Sequence, residues 1–469
     1  MNSEQINTQY NPMISNKNIK DDTLFFTLTD VDVSIANAIR RVILSDINLV
    51  VFRTTPNEAS LAKMIANTTR LNNEILKQRL SCIPVHIKDL SMEELGNLTV
   101  EVNEENTTDT IMVVTTKHFK IKDKTTNKYL PDSVVQKIFP PFIGDNGVSY
   151  FIEFVRLRPK ISDEILGEKI HFTCDFSIGS AKENCMFNTV GTCAYGFTMD
   201  ESTVEEELAK KQEKWKNDKM DEATIDYESR NWRLLEAKRF TVKNSFDFQL
   251  KTCCVFENDE LIYISCQELI NKFNLLIQDI NQNKMTVNED TTSTINTNDY
   301  ILANEDYTLG NALNHLLYKN YYEGSNKLSY CGFKKMHPHD TDSIIRMTFK
   351  EDVSSETGFQ FLKECCIEAI EIFRKIMVFF TPEDEEVVHY NNTVLTPVVE
   401  TQYVEPSENK NTVQKESIEE LDEDEYEENI NNSPQYPNSP DYGLSPQYPN
   451  SPDYGPSPPY PNNSPVLDK

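Results

Sequence analysis

Two stretches decide how this chain is read: Asn37-Ala-Ile-Arg-Arg-Val-Ile-Leu-Ser-Asp46 near the start, and Glu305-Asp-Tyr-Thr-Leu-Gly-Asn-Ala-Leu313 in the second half. Each opens a short helix directly after a strand, and each is followed much later by a second amphipathic helix. The pattern is that of one architectural unit built twice in a single chain. Such a unit, paired with itself, is a scaffold for assembly rather than a catalytic pocket.

Around the first stretch, the run from Thr23 (TLFFTLTDVDVSI) reads as a strand and turn, and Asp32 or Ser34 can cap the helix that follows. Ile35, Ile39, Val42 and Ile43 recur on one face at i, i+4, i+7 and i+8, with Asn37 in the same segment and Arg40 and Arg41 beside that face. The two arginines alone read as a solvated helix face. A second helix includes Asn73 to Leu80, with Glu74 and Arg79, and the chain leaves it through Ile83-Pro84-Val85. Residues 86 to about 200 are β-branched and aromatic, punctuated by Pro140-Pro141, Gly144 and Gly147, and read as a mainly β insertion. Residues 203–239 are charged helix formers.

A strand over Asn244–Leu250 then leads to a stripe of Leu269, Phe273, Leu276, Ile277 and Ile280. Such a stripe is ordinary core packing, and here core and dimer seam can be one surface. Around the second stretch, Thr308, Leu309, Gly310 and Asn311 begin a helix, and Gly310 permits a close approach that a Cβ would obstruct. The last helix aligns Leu362, Cys366, Ile370, Phe373, Met377 and Phe380.

The expected fold class is α+β. A flexible N-terminus covers 1–19, and a first dimerisation unit covers 20–60 with 240–285. An insertion at 61–239 includes the charged helices at 203–239, a linker occupies 286–298, and a second dimerisation unit occupies 299–380. The stretch 381–469 is expected to be a disordered tail. It holds nine acidic and no basic side chains over 416–428, then a twelve-residue repeat beginning at Ser433 and Ser445 and decaying from Ser457. Its Ser-Pro steps at Ser433, Ser439, Ser445, Ser451, Ser457 and Ser464 are candidate phosphorylation sites.

Composition excludes several function classes. With 469 residues, 38% hydrophobic and 10% aromatic, the chain suits two or three soluble domains. A net charge of −29 argues against an autonomous nucleic-acid binder. No apolar run approaches a membrane span, and the N-terminus lacks a signal pattern. The ten cysteines form no C-x-x-C pair and read as free thiols in a reducing compartment. Cys185 and Cys193 are too isolated for a zinc site, and His337 with His339 lacks further ligands. No nucleophile-and-base pair, phosphate loop or two-metal acidic triad stands out. The expectation is therefore no catalytic residue, no metal, no cofactor, no membrane partner and no small-molecule substrate.

These motifs resemble those of the RNA polymerase α family: the bacterial α subunit, the archaeal D and L subunits, and the third and eleventh subunits of eukaryotic RNA polymerase II. The family's N-A-[IL]-R-R helix is matched by Asn37 to Arg41, and its N-x-E-[IF]-x-x-x-R-L-x-x-I-P segment by Asn72, Glu74, Ile75, Arg79, Leu80, Ile83 and Pro84. The small partner's E-D-H-T-L-G-N-x-L is matched at 305–313 with Tyr307 in place of His. Its G-Y-x-x-P-H-P is matched from Gly332 to Pro338 with Met336 in place of Pro. Ser81 stands where the family commonly has Gly, and the cysteine-rich module of cellular large partners has no counterpart here. The large-partner resemblance covers roughly residues 20–285 and the small-partner one 299–380. Both in one chain is similar to the fused assembly subunit of polymerases of large cytoplasmic DNA viruses. The resemblance implies a non-catalytic platform that docks the two largest polymerase subunits and meets other core subunits, with DNA reached only through the complex. It also implies that Arg40 and Arg41 contact the second-largest subunit, with Glu74 and Arg79 either touching it too or holding the loop before Pro84. It implies an intracellular location: virion and host cytoplasm for a viral protein, nucleus for a cellular one. The rival reading is a transcription-associated adaptor that uses an α-like fold and an acidic, phosphorylatable tail.

Overall fold

Asp32, in extended backbone, caps helix α1 (Val33–Ser45) by accepting the Ser34 amide at 2.8 Å. That bond satisfies one of the donors a helix start leaves unpaired. Ile35, Ile39, Val42 and Ile43 on one face are fully buried. A computed structural model describes residues 10–88, 91–162, 164–289 and 296–381. The remaining helices are α2 (Asn73–Ser81), α3 (Met92–Gly96), α4 (Asp132–Ile138), α5 (Glu201–Asn217), α6 (Glu222–Leu234), α7 (Asn258–Asn281), α8 (Tyr307–Leu317) and α9 (Ser355–Met377).

Two four-stranded antiparallel sheets carry α1, α7, α8 and α9. The first runs Met13–Lys20, Thr23–Thr29, Thr241–Thr252, Val190–Met199; the second runs Val287–Glu289, Thr297–Leu302, Ser343–Phe349, Leu328–Lys334. Followed along the chain, both obey one plan. An edge strand pairs with an inner strand, a short helix follows (α1 or α8), then come the far edge strand, the second inner strand and a long helix (α7 or α9). In the first sheet two of these connections are greatly enlarged; in the second they are a helical turn and a short loop.

The first enlargement, between α1 and Val190, has its own core. Its five-stranded sheet runs Ala62–Asn67, Lys169–Asp175, Leu98–Glu105, Lys120–Asp123, Lys128–Tyr129. Phe119, Phe154 and Phe172 pack edge-on or tilted beneath it, and aromatic pairs in such arrangements stabilise by more than their area alone. The second enlargement is the α5–α6 hairpin, closed around Val204, Leu208 and Trp232.

Three boundaries differ from the sequence reading. Met13–Lys20 is a paired edge strand rather than part of a flexible 1–19, because Thr23–Thr29 needs a ladder partner on that side. The two are joined by Asp21-Asp22, both at positive φ (51° and 59°), the geometry of a tight hairpin turn. Val190–Met199 belongs to the first sheet rather than to the insertion, since its alternate residues pack on α1. The α5–α6 helices therefore leave from between neighbouring strands of that sheet. Val287–Glu289 pairs with Asn298–Tyr300, so part of the expected 286–298 linker is strand; residues 290–295 lie outside the described residues. So do 382–469, including the six Ser-Pro serines.

Candidate assembly interface

The two sheet-and-helix layers meet through α1, α7, α8 and α9, and one continuous hydrophobic core runs across them. Leu269, Phe273, Leu362, Cys366 and Phe373 have no solvent exposure, Leu276 is buried, and Ile277 packs against the cluster. The Phe273 and Phe373 rings, on α7 and α9, stack with centroids 6.0 Å apart at 24°. Thr308, Leu309 and Gly310 are buried in α8, while Asn311 is half-buried.

Polar groups frame this seam in a reciprocal way. Asp306 caps α8 as Asp32 caps α1, accepting the Thr308 amide at 2.8 Å. Nine positions after Asp32 stands Arg41 (41 − 32 = 9), and nine positions after Asp306 stands His315 (315 − 306 = 9). Each reaches the other helix's cap. Arg41 Nη2 lies 2.6 Å from Asp306 Oδ2 and its Nε donates to Thr308 Oγ1 at 2.8 Å. His315 Nδ1 lies 3.4 Å from Asp32 Oδ2. A contact in which residue i meets j while the equivalent of j meets the equivalent of i is the signature of a two-fold interface. Here it occurs within one chain.

Around this exchange the two sides differ. On the Arg41 side, Lys272 of α7 lies 2.9 Å from Asp46 at the C-cap of α1 and 3.7 Å from Glu305 just before α8. Burial alone would depress the Lys272 ammonium, but Glu305 and Asp46 outweigh it and hold the group above its ordinary range, so it is a cation at neutral pH. On the His315 side, the Tyr10 hydroxyl and His315 Nε2 share a hydrogen bond of 2.5 Å, and Lys375 of α9 donates to the Tyr10 carbonyl at 3.0 Å. Lys319 Nζ sits 3.5 Å from the Tyr10 ring centroid, a cation–π contact. The segment from Tyr10 thus grips α8 and α9 before entering the first sheet at Met13. No sequence signal singled out Tyr10; a lone aromatic in a polar leader acquires meaning only from what it meets.

Burial lowers the pKa of His315 from its ordinary 6.5, with Lys319 acting the same way and Asp32, Glu368 and Glu323 opposing. The folded state therefore holds this imidazole neutral while the unfolded chain takes up a proton, so its stabilisation is present above pH 6.5 and lost as pH falls below it. Between pH 7.5 and 5 the wild-type unfolding midpoint should fall more than that of His315→Gln in parallel thermal scans. Equal falls would remove His315 as a titrating group of the seam.

The remaining candidate residues scatter. Arg40 donates from Nε to Asn37 Oδ1 at 3.0 Å, within α1. Arg41, expected on an outward face, is turned inward onto α8, because the Asp306 carboxylate lies one helix away. Arg79 donates to the Phe154 and Glu153 carbonyls at 2.7 and 3.0 Å, tying α2 to strand Glu153–Leu157 of the insertion, and Glu74 is exposed in the first turn of α2. Gly310 does admit a close approach, but to Phe333 of its own layer: a Cβ there would lie 2.0 Å from Phe333 Cε2. His337 and His339 are exposed between two strands. Cys174, Cys193, Cys266, Cys365 and Cys366 are buried thiols, whereas Cys82, Cys185 and Cys253 are exposed. Burial pushes Cys193 and Cys266 up to about 12. Among the described residues no group of three or more His, Cys, Asp or Glu is arranged to hold a metal, and no helix is long and apolar enough to cross a membrane.

A mixed α+β chain whose helices pair across a buried seam is, by class, a dimerisation scaffold. The chain belongs to the RNA polymerase Rpb3/Rpb11 dimerisation domain family, whose sequence model matches residues 25–273. It is similar to subunit 3B of DNA-directed RNA polymerases IV and V from Arabidopsis thaliana, with 38% identity over 74 residues, 16% of this chain and 21% of that protein. It is also similar to subunit 3 of the Arabidopsis thaliana RNA polymerases II, IV and V, with 36% identity over 74 residues and the same shares. The matched region spans about a fifth of the length of these relatives.

Proposed function

We propose that this protein is a non-catalytic assembly subunit of a multisubunit DNA-directed RNA polymerase that carries both partners of an α-like dimer in one chain. Two α-like dimerisation units, one around each sheet, pair within the molecule. Their helices form the platform on which the two largest subunits and other core subunits dock, and DNA is met only through the complex. The observation that carries this reading is the reciprocal contact of Arg41 with Asp306 and His315 with Asp32 between two layers of identical strand order. A catalytic pocket has no use for such an arrangement, whereas a dimer does. The fused form is like that of large cytoplasmic DNA viruses, which would place it in the virion and host cytoplasm.

Fusion replaces subunit concentration with an effective concentration set by the connection, of the order of millimolar for short flexible linkers. With a protease site engineered into 290–295, cleavage of the folded protein should leave both fragments co-eluting on a sizing column. Separate elution at micromolar concentration would sink the internal-dimer reading. Affinity purification from the native source tests the wider role. An assembly subunit should retain both large polymerase subunits in about equal amounts at high salt, and an adaptor should lose them.

A further inference from the structure

Strand Val190–Met199 is paired on one side alone, with Thr241–Thr252. Its register is regular from Thr192 to Phe197, with a shift at either end. In a regular antiparallel strand every second residue turns its N–H and C=O away from the partner strand. Among the described residues none of these outward groups has a hydrogen-bond partner. Folded proteins guard such edges with lysines, bulges or short strands, because a bare edge pairs with other chains. The other outer strands of the three larger sheets are guarded in this way. Met13–Lys20 carries Lys17 and Lys20 and bulges around Asn16, at φ 53°. Ala62–Asn67 carries Lys63 and is bulged against its partner, and Leu328–Lys334 is bulged after Leu328 and ends in a lysine. Val287–Glu289 and Lys128–Tyr129 have only three and two residues. Val190–Met199 has ten, and neither a charged residue nor a proline lies between Glu183 and Asp200.

Two glycines on this strand are not required by the chain itself. A Cβ at Gly196 would meet nothing within 4 Å, one at Gly191 would meet only the Lys251 carbonyl oxygen at 3.9 Å, and neither glycine has a positive φ. Glycine weakens a strand, and one that its own fold does not need leaves room for another backbone to come close. On the helix side of the strand Cys193 is buried, while Tyr195 and Phe197 each lean on Phe246 with centroids 5.5 Å apart. Phe197 is left 57% exposed. Arg40 of α1 faces the same side: burial raises the Cys193 thiol and the Tyr195 hydroxyl, and the Arg40 charge opposes both rises. Arg40 Nε is held by Asn37, and among the described residues its terminal nitrogens meet no carboxylate. An exposed ring and an unmatched guanidinium on one face of an edge suit a strand that brings an apolar side chain and a carboxylate on one of its own faces.

We infer that the Thr192–Phe197 edge receives an extended segment of another polypeptide as a fifth, antiparallel strand, which lays an apolar side chain on Phe197 and a carboxylate on Arg40. Main-chain hydrogen bonds to the outward groups hold the added strand, and the two side chains select it. The antiparallel sense continues that of every pair in the sheet. The inference goes beyond the platform reading, since it concerns one edge of the first sheet and holds equally for a core subunit and for an adaptor.

The test titrates full-length protein with the fluorescein-labelled peptide Thr-Val-Thr-Val-Thr-Glu-Thr, whose antiparallel register sets the first valine opposite Phe197 and the glutamate opposite Cys193, on the Arg40 side. Two N-methylated versions, blocked either at the threonines or at the valines and glutamate, separate backbone pairing from side-chain contact. One of them should lose at least about tenfold in affinity while the other keeps it, because only alternate amides face the protein strand. Exchanging the peptide glutamate for lysine should weaken binding about tenfold, and Arg40→Glu should restore the lysine peptide while weakening the glutamate one. The proposal is overturned if the two N-methylated peptides bind alike, if the charge exchange has no effect, or if no peptide binds at roughly millimolar concentration. It is also overturned if the free protein is a dimer that Ala194→Lys dissociates, which would give the edge to a second copy of the chain. Should Arg40→Glu lower the thermal midpoint, the peptide versions decide alone. Retention of the large polymerase subunits is a separate result, so failure here and failure of the platform reading are told apart.

Discussion

Replacing Phe273 with alanine should destabilise the folded chain by about 3–5 kcal/mol, the range for deleting a buried aromatic ring. Phe273 has no exposure and stacks on Phe373 across the seam, so the loss combines transfer free energy with a cavity between α7 and α9. The location of the damage distinguishes it from any other core deletion. In the version cleaved at 290–295, Phe273→Ala should make the two fragments dissociate at concentrations where the cleaved wild type stays together. Phe172→Ala is the control, since Phe172 is equally buried but lies in the separate core of the insertion. It should lower stability to urea by a similar amount and leave fragment association unchanged. The double variant Phe273→Ala/Phe373→Ala should cost less than the sum of its parts, because the second truncation removes a stack already lost. Additive losses would mean the two rings pack independently, and the seam would not be centred where α7 and α9 cross.

The charged frame of that seam explains why such a core separates two layers rather than filling one. Asp32 and Asp306 would serve as helix caps in any context. Each has been given a second partner nine residues along the opposing helix, so a single carboxylate both starts its own helix and fixes the register of the other. A register slip of one turn would leave Arg41 and Asp306 unmatched in a half-buried site, where an unpaired charge is costly. This ties specificity of pairing to four residues. The differences around them, with Lys272 on one side and Tyr10 on the other, make the halves complementary rather than interchangeable.

What could be read from the sequence was what is local. The spacing of Ile35, Ile39, Val42 and Ile43 places α1 and its buried face, and Asp32 marks its start, because both signals act within one helical turn. The stripes through Phe273 and Phe373 likewise name the buried faces of α7 and α9. The inward turn of Arg41 was not legible: its partner is 265 residues away, and nothing in N-A-I-R-R distinguishes an arginine aimed at solvent from one aimed at Asp306. Strand Met13–Lys20 is hidden in the sequence for a subtler reason. Its sequence, MISNKNIK, has almost no apolar alternation because one edge and most side chains face solvent, and the cue was the Asp21-Asp22 turn that follows. Contiguity in sequence places Val190–Met199 with the insertion, whereas the sheet takes back the chain after some 140 residues elsewhere.

Gly310 offers the sharpest separation of local from tertiary causes. In an isolated helix, alanine would be favoured over glycine by about 1 kcal/mol, so a surface helix should gain from Gly310→Ala. In this fold the added Cβ would sit 2.0 Å from Phe333 Cε2, 2.3 Å from Cδ2 and 2.6 Å from Cζ, all from a ring on the neighbouring strand. The ring is itself packed edge-on against Tyr307, at 5.4 Å and 72°, which restricts its escape. Overpacking of this kind costs about 1–3 kcal/mol for a methyl and more for a larger group. Gly310→Ala should therefore lower the thermal midpoint, and Gly310→Val should lower it further. Phe333→Ala removes the obstruction, so Gly310→Ala placed in that background should be neutral or stabilising, reversing the sign of the same substitution. If Gly310→Ala is destabilising by the same amount in both backgrounds, the close approach of Phe333 is not what requires glycine. The constraint would then lie in the helix itself, and the turn that opens α8 would owe nothing to the strand beside it.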